Sequence, residues 1–133
     1  MDTIMEFKSF RLMNIELNTH NSKNNNNGKT QLRVNAGTTE INDDGEAQLE
    51  IEININEEGE DYTREIKVIV LGIFKFPNQP SDYDLEELLK VNGTAILIPY
   101  IRSMISSLTS FDDSTEHLLL PAINVNAMFN QRK

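Results

Sequence analysis

The sequence predicts an α+β fold: a four-stranded antiparallel sheet with two or three C-terminal helices packed on one face. Three observations predict it. The first half alternates apolar and polar residues with a period of two, whereas the second half carries apolar residues at helical spacing. The two patterns are also segregated along the chain, and strands followed by helices pack as layers around one core. A chain of 133 residues reads as a single domain over 1–133, large enough to bury roughly two thirds of the surface its unfolded form exposes.

The strand segments follow in order. EFKSFRLMNIELN, from Glu6 to Asn18, has adjacent Leu12 and Met13, where the inward register switches, so a β-bulge is expected there. TQLRVNAGTTEI sets Leu32, Val34 and Ala36 on one side. EAQLEIEININEE sets Leu49, Ile51, Ile53 and Ile55 against Gln48, Glu50, Glu52, Asn54 and Asn56, the pattern of a half-buried antiparallel strand. YTREIKVIVLGIFKF starts the same way with Ile66, Val68 and Val70, then turns apolar on both sides from Ile69 to Phe74, which predicts cover on both faces there. The short Gly-containing turns NDDG (Asn42 to Gly45) and EEGED (Glu57 to Asp61) join segments two, three and four into a meander. The polar run THNSKNNNNGKT between segments one and two is too long for a tight hairpin and reads as a solvated loop.

The helical half begins at PNQPSDYDLEELLKVNG, with Ser81 as N-cap, Asp84 three positions on, apolar Leu85, Leu88 and Leu89, and Gly93 as a stop. AILIPYIRSMISSL follows as a second helix. Leu97, Ile101, Met104, Ile105 and Leu108 form its stripe, and Pro99 is tolerated near its start. After the polar link SFDDSTEH, Asn124 can cap a short terminal helix carrying Met128 and Phe129, with Arg132 and Lys133 against the negative end of its dipole.

The long helix has a surplus of apolar surface. Ile96, Ile98 and Tyr100 lie off its stripe, with the small residues Ser103, Ser106 and Ser107 between them. A helix apolar nearly all round is buried on both sides, and in so short a chain the second side is expected to meet another subunit. Ile96, Tyr100, Ile101, Ser103, Met104, Ser107 and Leu108 are the expected oligomer interface; the alternative is that the extra residues pack beneath loops of the same protomer.

Composition narrows the function. With 21 acidic residues against 12 basic ones, a net charge of −9 and no cluster of Lys or Arg, the chain lacks the footprint of a nucleic-acid binder. Absence of cysteine excludes disulfides and thiolate chemistry. No signal-peptide pattern and no run of about 18 apolar residues is present, so a cytoplasmic, soluble domain is expected. His20 and His117 fit no metal-ligand spacing, VNAGTT makes no phosphate cradle, and no serine sits in a nucleophile elbow; neither catalysis nor a cofactor is expected.

The order of the segments and three motifs resemble the SecB protein-export chaperone family. The motifs are GIF at Gly72 to Phe74, ILIPYIR at Ile96 to Arg102, and LLLPAINVNAMF at Leu118 to Phe129. Within them Pro99, Tyr100 and Arg102 match the family's Pro-Tyr-x-Arg, and Ile123 with Asn124 its Val-Asn. The resemblance spans about Glu6 to Phe129. It implies a dimer of dimers with the long helices at its centre, and an ATP-independent holdase that keeps unfolded or precursor polypeptides soluble in long grooves. The groove residues it implies are Phe74, Phe76, Leu120, Val125, Met128 and Phe129. It further implies that Glu58-Gly59-Glu60, which stands where the family has Leu-Gly-Glu, contacts the SecA motor.

This sequence departs from the family at two places. The loop after the first strand is polar where the family's is rich in proline and aromatics, and Glu58 replaces a leucine. A diverged chain of this kind also fits service to one dedicated client, as in SecB-like chaperones of toxin–antitoxin systems, or a scaffold that kept the fold without client binding.

Overall fold

A computed structural model of the protein describes residues 4–23, 29–79 and 84–111. The alternating segments become four strands, β1 (Glu6–Asn21), β2 (Lys29–Thr38), β3 (Glu46–Glu58) and β4 (Tyr62–Lys75), and the helical pattern becomes α1 (Leu85–Thr109). The sheet is antiparallel throughout, in the order β1-β4-β3-β2. Strands two to four are the expected meander, and the chain crosses from one edge of the sheet to the other between β1 and β2. In β1, Leu12 pairs with Val70 and Asn14 with Ile69, so Met13 is the extra residue of a bulge where the adjacent apolar pair predicted one. A second register shift lies between Phe7 and Ser9.

Register decides which side chains meet α1. Leu49, Ile51, Ile53 and Ile55 of β3 face Gly72, Val70, Val68 and Ile66 of β4 on one side of the sheet. These residues, apart from the glycine, join Phe74, Phe76, Leu89, Leu97, Ile98, Ile101 and Ile105 in one buried cluster. Burying a single Leu or Ile of this kind contributes about 1.5–3 kcal/mol. The other side of the sheet carries Glu50, Glu52 and Asn54, together with Ile69, Leu71 and Ile73 of β4. The second cover that the doubly apolar end of β4 predicted is not supplied by any described element.

One helix of 25 residues replaces the two expected between residues 81 and 108. Gly93 does not stop it. At that position α1 lies tight against the sheet, and a Cβ would stand 2.7 Å from Leu49 Cδ2 and 3.3 Å from Phe74 Cζ. The missing side chain is therefore a packing requirement. Pro99 lies well inside the helix, on its exposed side, where it removes one backbone hydrogen bond. Burial of Leu97, Ile98, Ile101 and Ile105 around it holds the helix on the sheet regardless. Ser81 lies outside the described residues. The N-cap is Asp84, whose Oδ1 accepts from the Glu87 backbone N–H at 3.1 Å. Asp84→Ala is expected to cost about 1 kcal/mol, read as a lower urea midpoint with an unchanged m-value. The expected terminal helix, with Asn124 as its cap, also lies outside the described residues.

Candidate functional site

Two positions in the core explain how α1 presents an outward face. Gly72 and Gly93 leave room for the Phe74 ring, which is wholly buried, and the helix then runs with Ile101 and Ile105 down on the sheet. Ile96, Tyr100, Ser103, Met104 and Ser107 recur at helical spacing on the side left over, with Leu108 at its border. Tyr100 is 42% exposed, Ser103 and Ser107 are exposed, and Ile96, Met104 and Leu108 are half-buried. Ile101 is different: it is fully buried against its own sheet.

Pairing of β1 with β4 extends this face. Phe7 and Phe10, which the sequence reading did not single out, reach the helix from the β1 edge. The Phe10 and Tyr100 rings lie 4.7 Å apart, Phe7 and Tyr100 6.0 Å, Phe7 and Phe10 6.4 Å in a stacked arrangement, and Phe7 and buried Phe74 5.4 Å. Such offset and tilted ring pairs add about 0.5–1.5 kcal/mol each beyond area burial. Next along β1, Leu12 is 43% and Met13 53% exposed, the bulge turning both partly outward. The result is an aromatic and aliphatic surface built from one strand and one helix. Leu32 on β2 and Phe111 just beyond α1 are exposed as well.

Of the groove residues implied by the family resemblance, Phe74 and Phe76 are buried in the protomer core, and Leu120, Val125, Met128 and Phe129 lie outside the described residues. The turn Glu58-Gly59-Glu60 projects from the β3–β4 hairpin. Gly59 N–H donates to the Tyr62 carbonyl at 2.9 Å, and a Cβ on Gly59 would collide with the Tyr62 ring. Behind the turn, Arg64 is fully buried and pairs with Glu57 at 2.8 Å, and the Tyr62 hydroxyl donates to the same Glu57 oxygen at 3.4 Å. The two strands of the hairpin are thus clamped together behind the turn while Glu60 remains exposed and Glu58 half-buried.

On the opposite side of the sheet, a hollow of about 750 Å³ is lined from all four strands by polar residues that include Glu16, Gln31, Arg33, Asn54, Glu65 and Lys67, together with Leu32, Ile55 and Ile66. Its lining holds no serine, threonine, tyrosine or histidine. His20 is exposed, 4.0 Å from Glu65, and His117 lies outside the described residues. Among the described residues, no group of His, Cys, Asp or Glu could hold a metal ion. No described helix is long and apolar enough to cross a membrane.

A four-stranded antiparallel sheet in which β2 to β4 form a meander, with a long helix across one face, defines an α+β sheet-and-helix domain that leaves an apolar margin at its β1 edge among the described residues. The chain belongs to the SecB family: the family model described as preprotein translocase subunit SecB matches residues 8–133. Its fold is similar to that of the Mycobacterium tuberculosis SecB-like chaperone Rv1957, solved in complex with a ChAD peptide from the Rv1956 HigA1 antitoxin. That likeness has a TM-score of 0.72 and 14% identity and covers 90% of each chain. A protein of unknown function from Streptococcus agalactiae matches with a TM-score of 0.49 and 12% identity, over 89% of this chain and 97% of that one. No match is found among curated protein sequences. The SecB family is a family of non-enzymatic chaperones, and its membership defines the class of this protein.

Proposed function

We propose that the protein is an ATP-independent holdase that keeps unfolded polypeptides soluble in the cytoplasm and works as a homotetramer. One observation carries the reading: in a chain of the SecB family, the protomer leaves Leu12, Met13, Leu32, Tyr100 and Phe111 each at least 42% exposed. Exposed apolar surface of this kind marks polypeptide contact. The side of α1 bearing Tyr100, Ser103 and Ser107 meets other copies, its serines allowing close approach of a second helix. Surface beyond that contact, with the groove positions Leu120, Val125, Met128 and Phe129, takes up client segments weakly and at several points, which gives avidity without strict sequence preference. The pinned acidic turn at Glu58 and Glu60 is the place for a SecA-type motor.

The native mass in solution tests the assembly. The wild-type chain is expected at four-protomer mass, with a further increase when a denatured client is added. Tyr100→Asp, which places a charge in the aromatic cluster, is expected to shift the protein to lower mass. A wild-type chain that runs as a lone protomer at micromolar concentration removes the reading.

A second version is favoured by the polar loop between β1 and β2, where the resemblance implies an aromatic and proline-rich wall. In that version the chaperone serves one dedicated client, such as an antitoxin. Aggregation assays separate the two: slowed aggregation of several unrelated denatured proteins supports the general holdase, and protection of a single partner supports the dedicated one.

A further inference from the structure

The hollow on the side of the sheet facing away from α1 holds both signs of charge and takes no part in the chaperone reading. Strand pairing lays its polar residues out in two rows. Glu16, Lys67, Asn54 and Arg33 cross β1, β4, β3 and β2 in one row, and Glu65, Asn56 and Gln31 cross β4, β3 and β2 in the next. Glu16 and Lys67 are cross-strand neighbours, so their charges offset each other. The charges left over stand at opposite sides of the hollow, Glu65 on β4 and Arg33 on the β2 edge. Both are exposed. His20 lies 4.0 Å from Glu65, and Arg33 is in no ion pair among the described residues. Between them β3 presents acceptors. Asn54 Nδ2 donates to Glu52 at 2.9 Å, which leaves Asn54 Oδ1 as the group offered to a ligand. Asn56 Oδ1 is shut off from water and has no hydrogen-bond partner among the described residues. An acceptor in that state is costly until a donor reaches it, and rotation of the Asn56 amide turns it toward the hollow.

We infer that the hollow binds a short zwitterionic peptide of about three residues, laid across the strands. Its α-carboxylate meets Arg33, its α-ammonium meets Glu65, and its backbone N–H groups donate to the Asn54 and Asn56 oxygens. Three arguments fix this class of ligand. A guanidinium takes a carboxylate through two parallel hydrogen bonds, and a side-chain carboxylate takes an ammonium through charge-assisted ones. Strands β4 and β2 are two spacings apart, about 10 Å, which about three extended residues span at 3.3–3.6 Å each. The volume of about 750 Å³ also falls in the range of small-ligand sites. Net charge then decides against other occupants. A basic segment would have to lie over Lys67 and Arg33, and an acidic one over Glu16 and Glu65, whereas a dipolar ligand meets each sign with its opposite. This inference goes beyond the holdase reading, because it concerns a small ligand on the opposite side of the sheet.

The test titrates the full chain with trialanine carrying free ends and follows the side-chain amide signals of Asn54 and Asn56 by NMR. Saturable shifts with a Kd in the millimolar range are expected. C-amidated trialanine, which is basic, and N-acetylated trialanine, which is acidic, are each expected to bind about tenfold more weakly. Arg33→Gln is expected to weaken free trialanine about tenfold and to abolish its advantage over the amidated form. Glu65→Gln should do the same for the acetylated form. Both side chains are exposed, so the urea midpoint of each variant is expected to match the wild type. Absence of shifts at Asn54 and Asn56 up to about 20 mM peptide overturns the inference. So does indifference to Arg33→Gln and Glu65→Gln. Amidated trialanine binding as tightly as the free peptide would show that the face reads positive charge alone, and also overturns it. Client protection is expected to survive Arg33→Gln; its loss would assign the hollow to the client path and overturn the inference while leaving the holdase reading in place.

Discussion

Truncating Phe74 to alanine is expected to lower the unfolding free energy by about 3–5 kcal/mol. The ring is fully buried and occupies the space that two glycines leave between sheet and helix. A Cβ on Gly72 would lie 2.8 Å from Phe74 Cε2, and one on Gly93 3.3 Å from Phe74 Cζ. Phe7 packs against the same ring from β1. The walls of the resulting cavity are β-sheet ladder and helix backbone, which collapse poorly into a void, so the cost should fall in the upper part of the range. Urea unfolding followed by circular dichroism measures it, and a loss below about 1 kcal/mol would contradict the packing. The outcome also governs how client-binding data are read. Loss of client protection in Phe74→Ala would report a weakened fold, so a groove contact is better probed at exposed Leu12 or Met13.

Arg64→Ala is expected to cost a similar amount, about 3–5 kcal/mol. The guanidinium is taken wholly out of water and faces Glu57 at 2.8 Å, and the Tyr62 hydroxyl reaches the same carboxylate. Removing the arginine strips Glu57 of the charge it pairs with, and removing Glu57 leaves a buried cation whose desolvation is no longer offset. A double-mutant cycle with Glu57→Ala should therefore return a coupling energy between about 0.5 and 3 kcal/mol. Coupling near zero would show that the pair is not acting as one. Because this pair anchors the β3–β4 hairpin, Arg64→Ala should also loosen the acidic turn, visible as faster amide exchange at Gly59, whose N–H is bonded to Tyr62.

Much of this architecture was legible because a half-buried strand writes its environment into every second residue. Leu49 to Ile55 name the helix-facing side of β3 without further information, and Leu12 beside Met13 can only be reconciled with that alternation by a bulge. The turns were readable for the same local reason. Gly93 was misread because a glycine has two uses that look alike in sequence: it can end a helix by adopting positive φ, or it can thin a helix where another chain must come close. Only the positions of Leu49 and Phe74 decide between them. Pro99 was misplaced near a helix start because its cost is local while the burial that offsets it comes from the sheet. The outward face at Tyr100 was legible from helical spacing, but its partners Phe7 and Phe10 were not, because the pairing of the first strand with the last is a non-local choice. Ile101 shows the same limit: spacing puts it near the face, and packing turns it inward.

The crossing from one sheet edge to the other has a consequence for how the molecule is made. The pairings of β1 run from Asn21 with Tyr62 to Glu6 with Lys75, so each residue waits for a partner synthesised roughly 40 to 70 positions later, on the order of 2–14 s at about 5–20 residues per second. Through that interval a nascent strand bearing Phe7, Phe10, Leu12 and Met13 has no native neighbour, and the three later strands can zip together without it. Ribosomes halted before Val68 would hold a chain whose first strand is apolar and unclaimed, so this polypeptide is itself, early in its life, exposed to the wrong partners.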